Sequence, residues 1–208
     1  MPVTTRSAPT TWGQTVAWAG MTILSVGIAI FSYRYLFAAG SMPPVIAANS
    51  RFGPWIVIHA AGAATALLVG PVQFLPNLRQ DKPFLHRILG RIYVAGCLIG
   101  GVSALILATG VSTGPVTGIG FGTLGIAWLL TTGVALRAVL SGRIASHRRW
   151  MVRSFALTLA AVTLRIYLPL SDVLGIGFAA SYPVVAWLCW VPNMAVVEWY
   201  LRSGPRER

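Results

Sequence analysis

"SHRRWMVRSFALTLAAVTLRIYLPL", residues 146–170, joins a knot of cations to a long apolar run. A helix crossing a hydrocarbon core of roughly 30 Å needs about 20 residues. From Trp150 to Leu170 the chain meets that length, with Arg153 and Arg165 its only charges. The run therefore reads as a membrane helix, and the cations mark where it meets water. Two readings of the knot are open: an interfacial anchor, or a site built on His147.

Windows of the same length recur along the chain, at about Thr15–Phe37, Pro54–Leu75, Leu85–Ala108, Gly120–Leu140, Trp150–Leu170 and Tyr182–Leu201. The composition agrees: 56% hydrophobic and 10% charged, with mean hydropathy +0.73, against about 25% charged residues in soluble domains. Connections are short, so the expected fold is all-α: one polytopic bundle of six transmembrane helices over residues 1–208, with no soluble domain. Cys97 and Cys189 fall inside spans and are expected to pack rather than form a disulfide. Arg6 ahead of the first span and "FAAGS" after it suggest a signal peptide. Yet "SYRYLF" puts aromatic and charged residues where a cleavage region is small and polar, so the span is expected to stay as a helix.

Prolines and loops set the helix ends. Pro54 and Pro83 suit first turns, and Ser146 is a candidate N-cap for the fifth helix. "LPLSDVLGIGFAASYP" reads as a long connection between the last two spans. Pro192 is expected to kink the sixth helix, freeing a carbonyl for Asn193 or water.

The net charge of +12 raises nucleic acid as a partner, but its placement excludes it. With a cytoplasmic N-terminus, Arg6, Arg79, Lys82, Arg87, Arg91, Arg137, Arg143, Arg148, Arg149, Arg153, Arg202, Arg206 and Arg208 fall inside. Only Arg34 and Arg51 fall outside, and Arg165 lies within a helix. That asymmetry follows the positive-inside rule, so the charge reports topology and anionic lipid. The expected location is a bacterial inner membrane, multi-pass, with both termini cytoplasmic.

Helical phase turns letters into faces. One face of the third helix carries His86, Gly90, Tyr93, Cys97, Gly101 and Ala104, and one of the fifth carries His147, Met151, Ser154, Thr158, Ala161 and Arg165. The second helix carries His59, Ala63, Ala66, Gly70 and Gln73 on one face. Small, polar faces point into a bundle and greasy ones toward lipid. Depth then separates an inner layer, His86, His147, Gln73 and Glu198, from an outer one, His59 with Arg165.

Paired histidines on separate spans at one depth can supply both axial nitrogens of a b-type haem. Glycines such as Gly90 would make room for the macrocycle, and Arg87 and Arg148 would pair its propionates. The alternative is that His86 and His147 cap helix ends. Arg165 in mid-span demands a partner, for which Asp172, a helix carbonyl and an anionic ligand are candidates, or else it snorkels outward. Glu198 reads as an interfacial carboxylate paired with Arg202 at i+4; its alternative is proton exchange with a cofactor or quinone. Most tryptophans lie near span ends, as in an aromatic belt, while Trp128 reads as packing. No P-loop, nucleophile elbow, zinc motif or CxxC pair is present.

"GPVQF", "LHRILGRIYV", "SHRRWMVRSFALTLAAVTLR" and "AWLCWVPNMAVVEW" together resemble the bacterial membrane proteins catalogued as domain of unknown function 2306, over roughly residues 50–200. That resemblance implies a polytopic helical bundle and no activity. More loosely, histidines opening the third and fifth helices resemble the cytochrome b561 type. That resemblance implies His86 and His147 as one ligand pair and His59 as a member of another. The fourth helix, however, offers neither histidine nor methionine, so it implies one haem at most.

Three functional expectations result. The first is a b-type haem electron-transfer protein with His86 and His147 as metal ligands and a quinol or other reductant as donor. The second is a non-enzymatic subunit or assembly factor binding lipid or another membrane chain. The third is a small transporter using His59 and Arg165.

Overall fold

The computed structural model describes residues 12–37 and 42–203. Among these the chain is helical, with no strand, and six helical stretches are long and apolar enough to cross a membrane. They are Thr15–Phe37, Gly53–Phe74, Pro83–Ala108, Pro115–Leu140, Ile144–Val173 and Phe178–Ser203. The all-α, six-span architecture expected from hydropathy is the one observed. Arg6, Arg206 and Arg208 lie outside the described residues.

In chain order the α-helices are α1 Trp12–Tyr33, α2 Pro44–Ala47, α3 Gly53–Val69, α4 Pro76–Asp81, α5 Pro83–Ala108 and α6 Pro115–Leu140. They continue with α7 Ile144–Thr158, α8 Ala160–Val173, α9 Phe178–Leu188 and α10 Val191–Ser203. Proline opens α3 and α5, as expected, and also α6, which lengthens the fourth span backward to Pro115. Proline is well placed there because its missing N–H would have no helical partner anyway.

Two boundaries differ from the sequence reading. Helix α7 begins at Ile144 with Arg143 at its N-cap, so Ser146 lies inside the first turn and caps nothing. The long connection after the fifth span shrinks to residues 174–177, because α8 runs through Pro169 to Val173. Its reversal uses Gly175 and Gly177 at φ 75° and 76°, values at which a side chain would be strained.

The α3–α5 crossing is the tightest in the bundle. A Cβ placed on Gly62 would stand 2.6 Å from Gly100 N and 2.8 Å from Gly96 O, and one on Gly96 would stand 2.8 Å from Gly62 O. These distances leave no room for a methyl group, so the pattern Gly62–Ala66 against Gly96–Gly100 brings backbone onto backbone. Within lipid, where apolar area gives helices no preference for each other, this close packing is what holds them together. Around the pair, α6 packs on α5, α7 and α9 on α6, α10 on α7, and α1 on α3. Tyr33 Oη and Thr65 Oγ1 share a hydrogen bond of 2.9 Å between α1 and α3.

The last two spans are each broken midway, at Leu159 and at Cys189–Trp190. The second break immediately precedes Pro192, which cannot donate to the preceding turn; the first has neither proline nor glycine and was not anticipated. The two breaks face each other and share their polar groups. The Thr163 hydroxyl donates to Cys189 O. Asn193 Nδ2 reaches Cys189 O at 3.1 Å and Ala156 O at 3.2 Å. Carbonyls loosened by one break are thus satisfied from the other span, which a hydrocarbon surrounding requires.

Candidate functional site

A cavity of about 210 Å³ lies toward the end of the bundle that holds residues 42–52 and 109–114. Its walls come mainly from α3, α5, α6, α7, α8 and α9, and they are largely apolar, with alanine and leucine the commonest residues. Segment 42–52 roofs it, tied to the α5–α6 turn by Asn49 Nδ2 to Leu107 O (2.9 Å), Ser50 N to Gly110 O (2.9 Å) and Ser112 Oγ to Val45 O (3.0 Å). Both members of the outer pair, His59 and Arg165, line this cavity, with Tyr35 and Tyr182 beside them.

The tight crossing of α3 on α5 orients His59. Its Nδ1 lies 2.9 Å from Gly100 O, and a carbonyl only accepts, so Nδ1 carries the proton. In the neutral ring Nε2 is then an acceptor, and no hydrogen-bond partner meets it among the described residues. Arg165 Nη1 donates to Ala161 O at 3.0 Å, one turn back on α8. Of the partners considered from sequence, the helix carbonyl is the one found. Asp172 is exposed and makes no ion pair with Arg165. The other guanidinium donors are left to the cavity.

Beneath the cavity lies a buried hydroxyl cluster. Tyr93 Oη stands 2.9 Å from both Ser154 Oγ and Thr158 Oγ1, and Thr132 Oγ1 stands 2.7 Å from Ser154 Oγ. Trp128 Nε1 donates to Thr158 Oγ1 at 2.9 Å. The Cys97 thiol borders the same hydroxyls. Thr158 and Trp128 also belong to the cavity wall, so the cluster forms its floor. Trp128 packs as expected, and its N–H completes a network that ties α5, α6 and α7.

The inner group sits at the opposite, basic end. His147 Nδ1 donates to Ala135 O at 2.9 Å. His86, in the first turn of α5, lies within electrostatic range of His147, Arg79 and Arg87, and its Nδ1 is enclosed without a partner. Gln73 is 7% exposed, its Nε2 likewise has no partner, and its Oε1 lies 3.5 Å from where a Cβ on Gly90 would stand. Arg87 and Arg148 are exposed. The two histidines do approach each other, and the glycines further along α5 are met by neighbouring helices. Gly101 is filled by Leu129, Gly96 by Gly62 and Ala66, and Gly100 by Ala63 and Trp128. These three serve helix contacts, whereas Gly90, one turn beyond His86, has only Gln73 Oε1 near its Cβ position. No group of three or more metal-ligating side chains occurs among the described residues.

Glu198 is engaged elsewhere than expected. Arg153, not Arg202, meets it with two bonds, Nε to Oε1 at 2.5 Å and Nη2 to Oε2 at 3.0 Å. The Arg153 guanidinium also lies 4.7 Å from the Trp150 ring centroid. The i+4 rule considers one helix, whereas α7 and α10 pack side by side and supply a better fork.

Sequence reasoning missed three contributors: Thr132, Thr163, whose hydroxyl meets Cys189 O, and Tyr182, which stacks on Phe178 at 5.2 Å. Asn193, expected to satisfy a carbonyl near Pro192, does so at Cys189 O. For the missed residues, a hydroxyl on an inward helix face was the available signal. The family model described as "Predicted membrane protein (DUF2306)" matches residues 56–201, which include every residue of the cavity pair, the floor and the inner group. No curated protein and no solved structure matches the chain.

Proposed function

We propose that this chain, which belongs to the DUF2306 family of predicted membrane proteins, is a membrane-embedded binding protein of the carrier type, taking a small amphiphilic molecule into the cavity at Arg165 and His59. It is an integral membrane protein with six spans. The observation that carries the proposal is Arg165: a guanidinium lining an apolar cavity, with one helix carbonyl as partner and no carboxylate beside it among the described residues. An arginine held in a span normally faces a partner or a wet cavity, and a ligand fills that role. His59 Nε2 adds an acceptor for orientation.

The walls support carriage. The cavity touches both interrupted spans, through Thr158 and Ala160 on one side and Cys189 on the other. Discontinuous helices at a mid-membrane site are the usual architecture of secondary transporters. With the basic end in the cytoplasm, the cavity faces the outer side. Native mass spectrometry from detergent tests the reading. The wild type is expected to carry a small-molecule adduct. Ala104→Trp, which fills the cavity from α5, loses it, and Arg149→Ala at the basic end keeps it. An adduct unchanged in Ala104→Trp overturns the proposal.

A further inference from the structure

The chemistry of the cavity narrows its ligand. Arg165 presents up to five N–H donors, of which the structure assigns one to Ala161 O. A buried cation is costly unless an opposite charge or hydrogen bonds answer it. Asp172 is the one acid at this end among the described residues, and it faces outward. Arg34, close by, adds a second positive charge and is itself held by the rings of Phe31 and Tyr35, 4.1 and 5.2 Å away. The site is therefore electropositive inside apolar walls.

Size and charge together limit what fits. About 210 Å³ is below the roughly 300–1,000 Å³ of sites for drug-sized ligands, so the occupant is compact. One guanidinium fork matches one planar pair of oxygens, while the largely apolar walls solvate a second negative charge poorly. We infer that the cavity binds a compact monocarboxylate, its two oxygens on the Arg165 guanidinium and its apolar body against the alanines of α3 and α5. This inference rests on the binding role proposed above and names its ligand class.

Calorimetric titration of the purified full chain in detergent tests it, with benzoate as probe and benzamide as its neutral isostere. Benzoate is expected to bind at least about tenfold more tightly, the scale of a hydrogen-bonded charge. Arg165→Gln should erase the difference and Arg165→Lys should keep part of it. The wild-type comparison stands by itself if either variant folds poorly. Decanoate competing with benzoate also supports the inference, and identifies acids supplied by the bilayer as a source. Equal binding of benzoate and benzamide overturns the carboxylate while leaving a binding cavity in place. Phosphatidylglycerol displacing benzoate with higher affinity reassigns Arg165 to a phosphate head group and also overturns it. If none of these molecules binds, the binding role itself falls.

Discussion

Gly62→Ala is a methyl-sized test of the α3–α5 crossing that positions His59. The added Cβ would stand 2.6 Å from Gly100 N and 2.8 Å from Gly96 O. Both are backbone atoms, so no rotamer change relieves the clash and the helices must separate. Overpacking of this kind costs about 1–3 kcal/mol. Alanine returns about 1 kcal/mol through its better helix propensity, leaving a net loss of up to about 2 kcal/mol. At about 2–4 °C per kcal/mol for a chain of this size, Tm in detergent should fall by up to roughly 8 °C. Gly133→Ala is the control, since nothing lies within 4 Å of its Cβ; its Tm should hold or rise. Separation also shifts Gly100 O, the carbonyl that holds His59 at 2.9 Å, so ligand affinity should fall with stability. Equal melting of the two variants would refute the backbone-on-backbone crossing.

Asn193→Ala removes the amide bridging the two helix breaks; at about 0.6 kcal/mol per intramembrane hydrogen bond, a loss near 1 kcal/mol is expected by thermal denaturation. No loss would mean the freed carbonyls are satisfied without it. A double-mutant cycle on Arg153→Met and Glu198→Gln should show coupling of about 1 kcal/mol, and strict additivity would contradict the bidentate pair. Reporter fusions after Arg79 and Arg143 should read cytoplasmic and one after Thr113 periplasmic; the reverse pattern inverts the orientation of the cavity. Dithionite difference spectra of purified protein should show no Soret shift, whereas a haem signal abolished by His147→Ala would restore the inner histidines as ligands.

The spans were legible because a membrane helix is declared by length and apolarity, both local properties. The outer pair was legible too, since His59 and Arg165, both placed on inward faces, reach one cavity. The α3–α5 crossing was read one position off, because it uses Gly62, Gly96 and Gly100 rather than Ala63, Cys97 and Gly101. What stayed hidden depends on contacts between spans. Gly101 looks like free space in a sequence and is taken by Leu129. Glu198 has a cation four residues away and another on α7, and only packing decides for Arg153. The break at Leu159 has no proline or glycine to announce it. It is accommodated by Asn193, 34 positions later in the chain, which donates to Ala156 O on its near side.

The proposed binding role places an anionic ligand on Arg165 inside the bundle. Crystals grown with 4-iodobenzoate locate that ligand by the anomalous signal of iodine. One ordered iodine is expected within the cavity between α3, α5 and α8, with the carboxylate on the Arg165 guanidinium. An ordered iodine at the basic end, beside Arg87 or Arg148, with the cavity at Arg165 holding none, would contradict it.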